Sequence, residues 1–131
     1  MGSCDECAER ISAAARDRKQ TIATAESLTG GRISAVLGAA PSSSQWYRGS
    51  IVAYASSVNH GLLRVPDGPV VSEPSACAMA TTVAELLDAD LAVAVTGAGG
   101  PEAQDGTTTG HGVVRGLRRR CRSDRTTALR R

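Results

Sequence analysis

One run of residues limits the fold more than any other. Leu91, Ala92, Val93, Ala94, Val95 and Thr96 form a short, nearly unbroken apolar stretch. A strand with one face in water alternates apolar and polar residues. A run without alternation suits a central strand covered on both faces, as in α/β proteins. The flanking sequence agrees. Helical spacing at Cys7, Ile11, Ala14 and Ala15 predicts a helix over 5–19, and a β-prone buried strand follows over 21–25. Ile33, Val36 and Leu37 mark a second helix that ends near Gly38. Residues 41–44 read as a loop, 50–55 as a strand and 58–63 as a short helix. Ser72 is an N-cap for a helix to about Asp88, with Pro74 in its first turn. Gly112, Val113 and Val114 begin another strand, after which apolar patterning stops. Helices alternate with strands, so the expected fold is α/β. It is a single-domain, three-layer α/β/α sandwich with a mostly parallel or mixed sheet.

The core must be built from small residues. There is no Phe, and the aromatics are Trp46, Tyr47 and Tyr54. Ala, Val and Leu fill the interior, so the layers should pack closely. No apolar run approaches the roughly 20 residues that span a bilayer. The start is acidic rather than basic-then-apolar, which is not the pattern of a secretory leader. Met1-Gly2 opens like a myristoylation site, but Glu6 stands where that signal needs Ser or Thr. The expectation is a cytoplasmic protein without a membrane partner.

The net charge of +2 conceals an asymmetry. Residues 115–131 hold eight arginines against Asp124, whereas 1–114 is mildly acidic. A basic tail can bind nucleic acid through phosphates, but no aromatic is interleaved for base stacking, so a solvated or disordered end is the preferred reading. Cys4 and Cys7 form a C-x-x-C with no second pair at zinc spacing. They read as two reduced thiols at the start of a helix, with a redox or metal role as the alternative.

Two strands end in Gly-rich polar loops, at Glu26-Ser27-Leu28-Thr29-Gly30-Gly31 and at Thr96-Gly97-Ala98-Gly99-Gly100-Pro101. Ligands of open α/β sheets bind beyond the carboxyl ends of strands. Glycines let backbone N–H groups approach an anion, and a helix N-terminus adds a positive dipole end. Two such loops on one rim would make a phosphate pocket; each alone is also ordinary turn chemistry. Neither loop fits the dinucleotide fingerprint or the Walker pattern. Ser27, at a strand-to-helix turn, is a candidate nucleophile, and equally a candidate helix cap. It is not a G-x-S-x-G elbow. A serine nucleophile needs a base, and the chain offers His60, His111 and Lys19.

Residues 25–31 resemble the A-E-S-C/L-T-G-G signature of the CinA C-terminal domain family. Residues 41–49, 51–56, 71–74 with Met79-Ala80, and 95–101 are similar, in order, to four further family motifs. The resemblance covers roughly residues 6–114, giving a CinA C-terminal-like domain over 1–114 and an arginine-rich, truncated or disordered tail over 115–131. It implies hydrolysis of the carboxamide of nicotinamide mononucleotide (NMN), yielding nicotinic acid mononucleotide and ammonia. It implies Ser27 as nucleophile and Tyr54 as its proton-transfer partner, with backbone near Ser27, Ser43 and Ser44 holding the oxyanion. Thr29, Gly30, Gly31, Thr96, Gly97, Gly99 and Gly100 would line the nucleotide pocket. No metal or cofactor is implied, and a homodimer is expected. Two positions depart from the pattern. Where the family carries the lysine that serves as general base, this chain has Asn59, and an amide cannot take a proton at neutral pH. Beyond Val114 the family's final segments are only partly matched. Asp124-Arg125 is similar to its G-D-R step, while residues 125–129 read equally as the strand before it. A catalytically weak or inactive nucleotide-binding relative is therefore the alternative.

Overall fold

A computed structural model describes residues 3–27, 29–68, 72–97, 111–118 and 125–130; in 97, 111–118 and 125–130 the description is of the backbone. Five strands form one sheet in the order β2-β1-β3-β4-β5: β1 Ile22–Glu26, β2 Tyr47–Val52, β3 Leu91–Gly97, β4 His111–Arg118 and β5 Arg125–Arg130. β1 pairs in parallel with both β2 and β3, and β4 and β5 are antiparallel additions. The sheet is mixed, as the sequence predicts. Every residue of β1 is buried, and Ala92, Ala94 and Val95 of β3 are buried beside it.

Two helical layers cover the sheet. α1 (Cys4–Arg18) and α2 (Arg32–Gly38) pack on one face around Ala8, Ala15, Ile22, Leu37 and Trp46. α3 (Ser56–Gly61) and α4 (Glu73–Leu86) lie on the side of the second core, where Leu63, Met79, Ala80 and Val83 meet Ala23, Ala25, Ala92 and Ala94. The first connection, β1-α2-β2, runs over one face. The second, β2-α3-α4-β3, returns over the other. The strand order thus reverses between β1 and β3, the place where open α/β sheets form a ligand crevice at the carboxyl ends of their strands.

Local chemistry sets the element ends. Ser3 caps α1 with a reciprocal capping box to Glu6, and Ser72 caps α4 through the Ser75 N–H at 3.2 Å. Trp46 is buried and donates its indole N–H to Ser12 Oγ at 3.0 Å, while Ser12 donates to Pro41 O at 2.6 Å. One buried hydroxyl thereby joins α1 to the start of β2. At the amino ends of the strands, Asp90 Oδ2 accepts from the Thr21 N–H and hydroxyl, and Leu91 N–H bonds to Thr21 O.

Two expected boundaries move. β2 starts at Tyr47 rather than residue 50, because Ile22 N–H bonds to Trp46 O at 2.8 Å and opens the ladder early. Past Val52 only Ala53 N–H still pairs, with Glu26 O, before the chain turns into α3. The sheet also does not stop with the apolar pattern. β4 crosses the expected boundary after residue 114, pairing Gly116 with Val93 and Arg118 with Leu91, and β5 pairs with β4 beyond it. Backbone pairing toward an open sheet edge tolerates arginine, so side-chain pattern fails to mark these strands. Among the described residues no helix is long and apolar enough to cross a membrane.

The close contact of α4 with the sheet rests on alanines at Ala76, Ala80, Ala92 and Ala94, all fully buried. Ala80→Leu should overpack this layer and lower stability by about 1–3 kcal/mol, read as a reduced urea midpoint at unchanged m-value.

Candidate functional site

The site begins with Glu26, the last residue of β1. Its side chain is wholly buried. Strand alternation sends it to the α2 face, beneath the helix N-terminus, where N–H groups lack intrahelical partners. Oε1 accepts from the Thr29 hydroxyl at 2.7 Å and Ile33 N–H at 2.8 Å. Oε2 accepts from Ser34 N–H at 2.9 Å and the Ser50 hydroxyl at 3.4 Å. Glu26, six positions before the start of α2, thus caps that helix; Gly31 at the N-cap position has no side chain to do so. The turns between are set by Gly30 N–H to Ser27 O, Arg32 N–H to Thr29 O, and positive φ at Gly30 (+59°) and Gly31 (+103°). A Cβ on Gly31 would meet Val52 at an ordinary 3.6 Å, so the backbone angle, not space, requires glycine there.

Ser27 follows and is 7% exposed. Its N–H bonds to Val95 O at 3.1 Å, which fastens it to β3 and leaves that N–H unavailable to an oxyanion. Among the described residues no hydrogen bond engages its hydroxyl. Continuing the register one step sets Ser27 between Ala53 of the β2 end and Thr96 of β3, at the crevice where the strand order reverses. Thr96 is fully buried, and Gly97 ends β3 beside it. Leu28, Gly99 and Gly100 lie outside the described residues.

Other expected residues stand elsewhere. Thr29 uses its hydroxyl on Glu26. Tyr54 is 71% exposed, and no hydrogen bond among the described residues joins its hydroxyl to Ser27. Ser43 and Ser44 lie in a 3₁₀ turn (Ser43–Gln45) before β2, next to Trp46, whose carbonyl pairs with the first residue of β1. That is the opposite end of β1 from Ser27, roughly 16 Å away at about 3.3 Å per residue. The Ser43 hydroxyl donates to Gly38 O at the far end of α2. The structure therefore does not bring these two serines to Ser27 within one chain. Nor is Ser27 the helix cap, since Glu26 holds the N–H groups of α2.

Asn59 is fully buried in α3. Its Nδ2 donates to Ala53 O at 2.9 Å and Ala55 O at 3.3 Å. Ala53 N–H pairs with Glu26 O, and its carbonyl accepts from the Asn59 amide. The Asn59 Oδ1 is buried with no hydrogen-bond partner among the described residues. Asn59 therefore braces the strand end. His60 is held away, with Nδ1 bonded to Val65 O at 2.9 Å.

Sequence reasoning missed the role of Glu26. The available signal was a carboxylate at the end of an otherwise apolar strand, just before two glycines. Glu26→Ala should cost about 3 kcal/mol or more, because buried N–H and hydroxyl donors lose their acceptor at about 1–3 kcal/mol each. Glu26→Gln keeps one acceptor oxygen but turns an NH₂ group toward a donor, and should cost less. Urea denaturation of both variants checks the order.

Comparison with known proteins places this arrangement. A family model described as CinA C-terminal domain matches residues 4–127. A CinA-like protein of Synechocystis is 40% identical over 102 residues, covering 74% of this chain and 24% of that protein. A CinA-like protein of Sulfurihydrogenibium is 42% identical over 101 residues, covering 73% of this chain and 25% of that protein. The chain spans about a quarter of the length of these curated relatives. A crystal structure of competence damage-inducible protein A (ComA) from Klebsiella pneumoniae superposes with a TM-score of 0.92 at 27% identity, covering 99% of this chain and 83% of that one. The competence/damage inducible protein CihA from Agrobacterium tumefaciens superposes with a TM-score of 0.90, also at 27% identity, covering 99% and 82%. Sequence match and superposition agree, and the chain belongs to the CinA C-terminal domain family.

Proposed function

We propose that the crevice between β1 and β3 hydrolyses the carboxamide of NMN, with Ser27 as nucleophile, and that turnover is slow. The carrying observation is Ser27 itself: a hydroxyl without a partner among the described residues, on a turn fixed by Glu26, at the reversal point of an α/β sheet. Ser27 Oγ attacks the carboxamide carbon, and its proton leaves toward the departing nitrogen. The tetrahedral intermediate collapses with loss of ammonia. Water then cleaves the Ser27 ester to the carboxylate and frees the hydroxyl.

The weak step is the first proton transfer. Glu26 is saturated by four donors, His60 is tied to Val65, and Asn59 offers an amide where the family resemblance implies a lysine. The Asn59 amide also favours a second reading, a site that binds the nucleotide and turns it over hardly at all. General-base assistance contributes typically 10²–10⁴-fold. In Asn59→Lys the ammonium would have Ala53 O and Ala55 O as acceptors, the partners of the present amide. Ammonia release from NMN should rise about 100-fold in Asn59→Lys over wild type and vanish in Ser27→Ala. If wild type binds NMN by calorimetry but releases no ammonia above Ser27→Ala, the binding reading stands. Neither binding nor release would remove both.

A further inference from the structure

The site above makes no use of Cys4 and Cys7. Both sit in the first turn of α1, and both are free and exposed. A spacing of three places them on one helix face. They line the same groove of about 300 Å³ between α1 and α2, together with Ile11, Arg32, Ile33 and Val36. We propose that Cys4 and Cys7 form a two-thiolate site for a soft monovalent cation such as Cu(I).

Average helix geometry favours a bridging ion over a disulfide. Helix neighbours at this spacing hold their Cβ atoms about 5–6 Å apart, whereas a disulfide needs about 3.5–4.5 Å. The turn resists closing, because it is held by the Ser3–Glu6 capping box and by Cys7 N–H to Ser3 O at 3.0 Å. An ion bridging two sulfurs through bonds of about 2.3 Å, the length of a zinc–thiolate bond, spans the gap without distorting the helix. Sulfur ligands select soft ions. Among the described residues no group of three or more His, Cys, Asp or Glu could hold a metal, so the pair supplies two ligands, too few for a closed tetrahedral zinc site.

The charge balance fits. Two thiols and one monovalent cation give a bis-thiolate complex of net charge −1 and two released protons. The positive end of the 15-residue helix α1 and Arg32 on the groove both favour that anion. Asp5 and Glu6 of the same turn oppose it, but Glu6 is engaged with the Ser3 N–H. Ile11, Ile33 and Val36 form an apolar wall beside the sulfurs.

The test is an anaerobic Cu(I) titration against a chromogenic Cu(I) chelator. It uses the full chain carrying Cys77→Ser and Cys121→Ser, so that only the proposed pair reports. One equivalent per chain should be withdrawn from the chelator. Cys4→Ser and Cys7→Ser should each weaken binding at least about 100-fold, with unchanged far-UV circular dichroism. Cys4→Ala and Cys7→Ala provide the same test without a new hydroxyl. Retention unaffected by these substitutions would overturn the site, as would half-equivalent uptake by bridged chains. Formation of a Cys4–Cys7 disulfide with oxidised glutathione, alongside failure to retain Cu(I), would overturn it in favour of a redox pair.

Discussion

The Glu26 carboxylate joins the three things the candidate site depends on: the end of β1, the Ser27–Gly31 turn and the start of α2. It is wholly buried and accepts two helix N–H groups and two hydroxyls. An isolated carboxylate would be costly at this depth. Here the orphan donors of a helix N-terminus and the dipole behind them offset that cost. The bond from Ser50 extends the anchor to β2. Ser27 N–H, bonded to Val95 O, extends it to β3. Position of the serine is thus a consequence of burying a charge under a short helix.

The surrounding layers explain why such a site is stable in a chain with so little aromatic volume. Alanine on both the sheet and α4 allows the backbones to approach, and close packing replaces bulk. On the other face a single large side chain, Trp46, fills the volume between α1 and the start of β2, and its N–H is satisfied by Ser12. The polar network Thr24–Tyr47–Ser34 runs under α2 at 2.9 and 3.0 Å. Buried polar groups on this face are paired in chains, which fixes one arrangement of α2 over β1 and β2.

Asn59 is a buried polar side chain that serves the architecture. The amide ties α3 to the chain just past β2 by donating to Ala53 O and Ala55 O. Its unpaired Oδ1 is the visible cost among the described residues. The same amide supplies no basic group.

Much of this was legible in the sequence. The unbroken run at 91–96 required a strand covered on both faces. Helical spacing located α1 and α4, and Ser72-Glu73-Pro74 located the start of α4, because caps and periodicity are local properties. Residues 25–31 marked the loop that carries Ser27. Only tertiary structure decided what those residues do. Glu26 looked like the start of a polar loop, and its role as a helix cap depends on α2 folding back over β1. Ser43 and Ser44 looked like neighbours of Ser27, yet the parallel β1-α2-β2 crossover carries them to the opposite end of the sheet. Arg118 and Arg125 looked like tail, yet pairing with β3 and between β4 and β5 extends the sheet through them. Sequence determines patterns that repeat along the chain; contacts between distant segments and hydrogen bonds made by backbone alone leave no such pattern to read.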